Sequence, residues 1–356
     1  MIELEKKVKD YLKSKFGKKI EDLKISELGK GVLGTGFLLE FKVDNKKERL
    51  ILKSLFTENL GMDHFSDRAE SLLLAHDSYN KMEGHVKSKD VLALDEKKLN
   101  SIGDSEEFFI LMEEAKGDDF FINLDRIKES GMNEKDEKKI LVLSDYLVEI
   151  HKIGERNETL YRRKIRDTIG KGGSLMGVLD MHPDECFYKY RGAWMEIIRR
   201  SISHWERARR LGHRLCEIHG DYHPGNLWFE NDKLTVLDRA GGRFGEPADD
   251  LTAFLINLIF YSIVKYGRFK GEYKKLFDLF WNNYFKKTKD REMRRVLAPY
   301  FAFRAAVITN PVFYNNEFFG NPKKARFVRR KMIRFARNVL RDKNFNPRKI
   351  NFYLSY

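Results

Sequence analysis

The apolar positions of this chain change period several times, and each change marks an element. Residues 1–17 place apolar side chains at helical spacing among charges and predict an amphipathic helix. ISELGKGVLGTGFLLEFKV (25–43) and RLILKSLF (49–56) predict strands around a glycine-rich turn. Residues 63–83 return to a helical pattern. VLALD (91–95) and FFILMEE (108–114) are strand-like, the second breaking into acids and Gly117. From 136 to 151, Ile140, Leu143, Leu147 and Ile150 share one helical face. Residues 165–185 carry a glycine cluster without a clear period and predict a loop or a helical insertion. Strand-like KLTVLD (233–238) then precedes a largely helical stretch, 251–341. There Phe254, Leu255, Leu258 and Ile259, and later Leu276, Phe280 and Tyr284, recur at three-to-four spacing. No fixed repeat and no sustained heptad is visible, which argues against a solenoid or a coiled coil.

Composition narrows the class. With 356 residues, 42% hydrophobic and 13% aromatic, the chain can bury two substantial cores and is not a disordered polymer. Cys186 and Cys216 are the only cysteines, too few for a disulfide framework or a CxxC metal knuckle. The first residues are charged and lack the apolar core of a signal peptide. The longest apolar stretch, Leu251–Val264, is interrupted by Thr252, Asn257 and Ser262 and predicts a buried core helix rather than a membrane span. A soluble cytoplasmic enzyme is the expectation. The net charge of +14 gathers at residues 323–349, which hold twelve Lys/Arg and one acid, Asp342.

The densest chemistry lies in HGDYHPGNLWFENDKLTVLDRAGGRFGEPADD, residues 219–250. Asp221 can take a proton, Asn226 follows five residues later, and Asp238 ends an apolar run. In-line phosphoryl transfer needs that set: an acceptor for the attacking hydroxyl's proton and oxygen ligands for Mg²⁺ on the nucleotide. A zinc reading of His219 and His223 fails, because i, i+4 histidines need a helix and Pro224–Gly225 predict a loop.

The stretch resembles the catalytic core of aminoglycoside phosphotransferase-like and choline kinase-like small-molecule kinases, distant relatives of protein kinases. The resemblance covers roughly residues 20–260 and is most specific over 219–250. It implies an α+β, two-lobed protein-kinase-like fold, with an antiparallel-sheet N-lobe over 1–111, a hinge at 112–117 and a mainly helical C-lobe over 118–356. It implies Asp221 as catalytic base or hydroxyl-orienting group, Asn226 and Asp238 as Mg²⁺ ligands, and His219 as a brace of the catalytic loop. Asp250 matches the aspartate that ties this loop to the following helix, with Asp249 the adjacent alternative. Gly29, Gly31 and Gly34 form GxGxxG, by itself compatible with an ordinary hairpin. With Lys53 central in the next strand, they imply a grip on the phosphates of ATP or GTP. Glu70 is the expected ionic partner of Lys53, with Asp67 or another acid as alternative. Backbone groups of Glu113 and Ala115 are expected to bond adenine, with Met112 against its ring. His151, ending the 136–151 helix, is expected in the core, and the 165–185 segment near the acceptor pocket.

One departure concerns the acceptor. After Asp238 the family commonly places an aromatic and then acids, whereas this chain has Arg239 and Arg243. Aminoglycosides and choline are cations and need acidic pockets. Two arginines fit an anionic or sugar-like acceptor, since guanidinium pairs bidentately with phosphate or carboxylate. Otherwise both make structural ion pairs with Glu246 or Asp249. The basic 323–349 segment, with Phe327, Val328, Met332, Phe335 and Val339 interleaved, predicts a helix packed by its apolar side. Contact of its charges with nucleic acid or an anionic membrane is the less favoured reading. The expected function is Mg²⁺-dependent transfer of a γ-phosphoryl group to a small-molecule hydroxyl, most readily of a sugar or polyol. The alternatives are an atypical protein kinase and a non-catalytic nucleotide- or nucleic-acid-binding scaffold.

Overall fold

The computed structural model describes residues 2–17, 20–30, 34–55, 62, 64–81, 86–107, 112–239 and 242–355. Gly31 and positions 108–111 of the second predicted strand lie outside them. The chain forms two compact units, Met1–Met112 and Glu113–Tyr356, and is mixed α+β.

In the first unit an antiparallel sheet runs β1 (Ile20–Lys30), β2 (Gly34–Val43), β3 (Lys46–Leu55). Helix α1 (Ile2–Phe16) buries Val8 and Leu12, four residues apart, with Ile20, Leu39 and Phe41 of the sheet. Gly34 pairs with Leu55, and a Cβ there would meet the Ser54 carbonyl oxygen at 1.9 Å, so only glycine fits. Helix α2 (Phe65–Lys81) follows, and then the short pair β4 (Leu92–Leu94) and β5 (Leu99–Ser101).

The second unit is mainly helical. It runs β6 (Asp118–Asp119), α3 (Phe120–Ser130), α4 (Glu134–His151), α5 (Glu158–Gly170), α6 (Leu175–Asp180), α7 (Asp184–Lys189) and α8 (Arg191–Ala208). Strands β7 (Cys216–Glu217), β8 (Leu227–Glu230), β9 (Lys233–Val236) and β10 (Phe244–Gly245) come next. Helices α9 (Ala248–Tyr266), α10 (Gly271–Thr288), α11 (Met293–Thr309), α12 (Pro322–Val339) and α13 (Ile350–Tyr353) complete it. Helix α4 begins at a capping box between Asn133 and Asp136. Leu251 through Val264 on α9 are buried without a break, because α3, α10, α11 and α12 all pack around this helix. That explains an all-round apolar pattern in a helix that is not a membrane span. No helix among the described residues is long and apolar enough to cross a membrane.

Of the loop or helical insertion expected over 165–185, the helical alternative holds: most of it lies in α5 and α6, with Gly170 ending α5, Gly172 and Gly173 in the turn and Gly177 inside α6. Two expectations are corrected in detail. The strand predicted to reach Asp238 ends at Val236. The basic C-terminal helix stops at Val339 rather than running through the charged segment. It starts at the N-cap Asn321 and buries Val328, Met332, Phe335 and Val339, while Phe327 stays exposed. Part of this charge secures the packing: Arg337 on the helix and Arg341 just beyond its end both bond Glu196 on α8.

Candidate active site

The loop 219–226 joins β7 to the β8–β9 hairpin and is held from three sides. Gly220 adopts φ 86°, which a side chain would resist. That turn aims the amides of His219 and Gly220 at the two carboxylate oxygens of Asp250, each at 2.7 Å. Asp250 sits in the first turn of α9, fully buried, and also accepts from His151 Nε2 at 3.1 Å. His151 in turn meets the Tyr284 hydroxyl through Nδ1 at 2.7 Å. Burial opposes ionisation of Asp250, but the bond from His151 and the two amides outweigh it and hold the carboxyl below its usual range. His219 is buried, and its Nδ1 accepts the Asp221 amide at 3.3 Å, so the ring shapes the loop. Burial also depresses its pKa, which keeps the ring neutral near pH 7.

Asp221 projects from this loop with its side chain 30% exposed. The Asn226 amide donates to the Asp221 carbonyl at 3.0 Å, which turns the Asn226 Oδ1 lone pairs away from that bond. Across the hairpin the Leu237 amide donates to the Asn226 carbonyl at 2.9 Å, so Asp238 follows directly beside Asn226. Asp238 takes a left-handed backbone, φ 53°, which Asp tolerates better than most residues and which recurs at functional turns. Its carboxylate is exposed and has no hydrogen-bond or ion-pair partner among the described residues. One carboxylate and one amide oxygen are hard ligands that suit a Mg²⁺ ion retaining several waters. No cluster of three His, Cys, Asp or Glu side chains able to hold a metal occurs among the described residues.

The sequence reading missed Arg304 on α11. Its side chain is only 10% exposed, and it bonds Asp221 Oδ1 at 2.6 Å, Asp249 Oδ1 at 2.7 Å and the Gly220 carbonyl at 3.2 Å. Burial pushes the Asp249 carboxyl up to about 6 in spite of this cation. The available signal was an arginine centred in the apolar run LAPYFAFRAAVI, where a cation needs buried partners. His223 faces the other Asp221 oxygen at 3.5 Å and caps the 3₁₀ turn Pro224–Asn226. Two hollows adjoin Asp221 and Arg304. One, of about 490 Å³, is lined mostly by aromatic and aliphatic side chains; the other, of about 230 Å³, has Lys164, Lys171 and Ser174 among its lining residues.

Arg239 and Arg243 do make structural ion pairs, but with a partner not foreseen. Both clamp Glu217, Arg239 at 2.7 Å and Arg243 at 2.9 Å, while Arg239 Nε also bonds the Ile218 carbonyl. The reason is register: β10 pairs antiparallel with β7, setting Phe244 opposite Glu217 and so bringing Arg243 alongside. The two expected acids are taken, Glu246 by Arg214 and Tyr161, and Asp249 by Arg304. Hydrogen bonds from Arg243 and then Arg239 hold Glu217 below the usual carboxylate range.

In the first unit, Gly29 lies at a register shift in β1, and Gly36 pairs with Lys53 on β3. Lys53 is exposed, and so is Glu70 on α2; no hydrogen bond or ion pair joins them. The Asp67 carboxylate accepts the His64 amide at the start of its own helix. Met112 and Glu113 are exposed and Ala115 half-buried, all without regular structure.

Residues 143–265 match the phosphotransferase enzyme family. No curated protein matches the chain. Among solved structures it is similar to an amicoumacin kinase in complex with AMP-PNP, Ca²⁺ and Ami, at 14% identity and TM-score 0.41 over 91% of this chain and 92% of that one. It is also similar to a thermostable mutant of an aminoglycoside phosphotransferase in apo form, at 12% identity and TM-score 0.37 over 94% and 98%. A third is the Plasmodium vivax ethanolamine kinase, at 12% identity and TM-score 0.34 over 86% and 80%. The matched segment runs from α4 to α9 and contains the whole loop–hairpin with Asp221, Asn226, Asp238 and Asp250. The likeness to the phosphotransferase enzyme family thus rests on residues 143–265, the segment that carries this loop and hairpin.

Proposed function

We propose that the protein is a Mg²⁺-dependent kinase that transfers the γ-phosphoryl group of ATP, or GTP, to a hydroxyl of a small molecule such as a sugar or polyol. The observation that carries this reading is a half-exposed Asp221 on a braced loop, with Asn226 and Asp238, unpartnered among the described residues, side by side across the adjoining hairpin. Asp221 orients the acceptor hydroxyl and takes its proton as the bond to phosphorus forms. Because such transition states are loose, orientation matters more than basicity. Asn226 and Asp238 would hold Mg²⁺, which when bound neutralises charge on the nucleotide phosphates. Asp250, His151 and His219 keep the loop from yielding as substrate arrives.

Gly29, Gly31, Gly34 and Lys53 are assigned to the nucleotide phosphates, with Glu70 supporting Lys53. The backbone at Glu113 and Ala115, with Met112, is assigned to the base. Arg239 and Arg243 are both held by Glu217, which offsets one of their two charges, so they offer an anionic acceptor only one net positive charge. Hollows bounded by α5, α6 and α11 around Asp221 favour a small acceptor over a peptide.

The test is coupled ADP release with Mg·ATP across sugars, polyols, amino alcohols and aminoglycosides, run alongside Asp221→Asn. Acceptor-stimulated turnover that falls roughly 10²–10⁴-fold in the variant, with nucleotide binding retained, is expected. Equal turnover in the variant refutes the assignment.

A further inference from the structure

The larger hollow beside Asp221 has a composition that bears on the acceptor. Its volume of about 490 Å³ lies within the roughly 300–1,000 Å³ of ligand pockets. Helix α9 contributes Ala253, Ile256, Asn257 and Tyr261, one stripe at helical spacing, and α11 contributes Phe303, Val307 and Ile308. Phe313, Tyr314 and Phe318 close it from the segment after α11, with Phe313 half-exposed at the edge. A pocket for a sugar or an aminoglycoside would need a polar group for nearly every hydroxyl or ammonium. This one is walled mainly by rings and aliphatic chains, its polar side chains being Asp125, Asp221, His223, Asn257 and Arg304 with the hydroxyls of Tyr261 and Tyr314.

Its charges are few and largely spent. Arg304 is divided between Asp221 and Asp249. Asp125 pairs with Lys128 at 3.4 Å. The exception is Asn257, only 4% exposed. Its Nδ2 donates to the Ala253 carbonyl at 2.8 Å, which fixes the other end of the amide as Oδ1. That oxygen has no hydrogen-bond partner among the described residues. It is closed off from the cavity as well as from solvent, so it is a polar cost within the wall and not a contact for a bound molecule.

We infer that the acceptor is an amphipathic alcohol. Its aromatic or aliphatic body fills this cavity and its hydroxyl lies at Asp221. The inference rests on the kinase reading above and replaces its sugar acceptor with an alcohol that carries an apolar body. In the step itself the acceptor oxygen bonds to the γ-phosphorus, the bond to the β-bridging oxygen breaks, ADP leaves, and the hydroxyl proton passes to Asp221.

The experiment uses the full chain with Mg·ATP and a series of straight-chain terminal diols of increasing length, with a phenyl-substituted diol beside them. Glycerol, glucose and an aminoglycoside are the hydrophilic comparison. Turnover is read by ADP release and binding by calorimetry. The expected result is that kcat/KM rises about 3–4-fold per added methylene until the cavity is full, the factor that corresponds to roughly 0.8 kcal/mol per buried CH₂. Val307→Ser, at a half-buried position of the cavity wall, should raise KM for the longer diols about 5-fold. Phe313→Ser, at the exposed rim where folding is not at stake, should flatten the dependence on chain length.

Asp221-dependent turnover of the hydrophilic acceptors with no gain along the diol series overturns the amphipathic acceptor and leaves the kinase standing. Diol binding that both variants weaken, with no phosphoryl transfer to any acceptor, keeps the cavity assignment and overturns the kinase. Neither binding nor turnover overturns both.

Discussion

Replacing Arg304 with methionine isolates what one buried cation does for the loop. The substitution keeps most of the aliphatic volume against Phe303 and deletes the guanidinium that spans Asp221, Asp249 and the Gly220 carbonyl. Two carboxylates, with side chains 30% and 21% exposed, would then lie close together with no cation between them. Breaking a buried pair in this way costs about 3–5 kcal/mol. The lower end applies because Asp221 keeps some contact with water. A loss of about 3 kcal/mol in a unit of this size corresponds to roughly 6–12 °C in Tm.

The assay is thermal and denaturant unfolding of wild type, Arg304→Met, Asp249→Asn and the double variant. Asp249→Asn removes one of the two charges left facing each other. The double variant should therefore be more stable than the sum of the single losses by about 1–3 kcal/mol. Additivity within about 0.5 kcal/mol would show that the contacts carry no net energy and refute the argument. A kinetic readout separates position from stability. Below its Tm the Arg304→Met protein should show reduced kcat with nearly unchanged KM for nucleotide, and Arg304→Lys should recover part of the loss.

Asp249 makes stability depend on pH with a definite sign. Its carboxyl titrates at about 6 when folded against 3.8 for its reference value, so between those pH values only the folded chain keeps the proton. Stability therefore falls as pH rises through that window, by at most about 3 kcal/mol, and Asp249→Asn should abolish this component; parallel pH profiles would contradict it. Asp238→Ala should remove the Mg²⁺-dependent part of nucleotide binding, measured by titration with and without the metal, and retained dependence would point to other ligands. Asp250→Ala leaves the His219 and Gly220 amides without their acceptor and should cost about 3 kcal/mol or more. Hydrogen exchange at these two amides should accelerate in that variant, and unchanged protection would show that Asp250 is not the brace.

How far the sequence reaches depends on how far apart the interacting residues lie along it. Helix α1, helix α4, the β1–β2 hairpin and the buried α9 follow from periodicity, because each pattern is completed within a few turns or one hairpin. The juxtaposition of Asn226 and Asp238 is legible for the same reason: a single hairpin with Leu227 opposite Val236 brings them side by side. A glycine-rich stretch without a period, 165–185, gave no such signal, and α5 and α6 there are settled by burial of Ile165, Leu175 and Val178.

What tertiary structure alone decided is which charges meet. Arg304 reaches Asp221 across 83 positions, and His151 reaches Asp250 across 99. Glu217 takes both arginines that a linear reading assigned to Glu246, Asp249 or the substrate. Burial makes such pairing obligatory, since a desolvated charge must find a counter-charge, but the identity of the partner is set by which helices and strands pack together. The orphaned oxygen of Asn257 is the same case in reverse. In sequence it is one polar residue in an apolar helix, and only the packing of α9 against α11 and the 313–318 segment places it in the wall of a cavity.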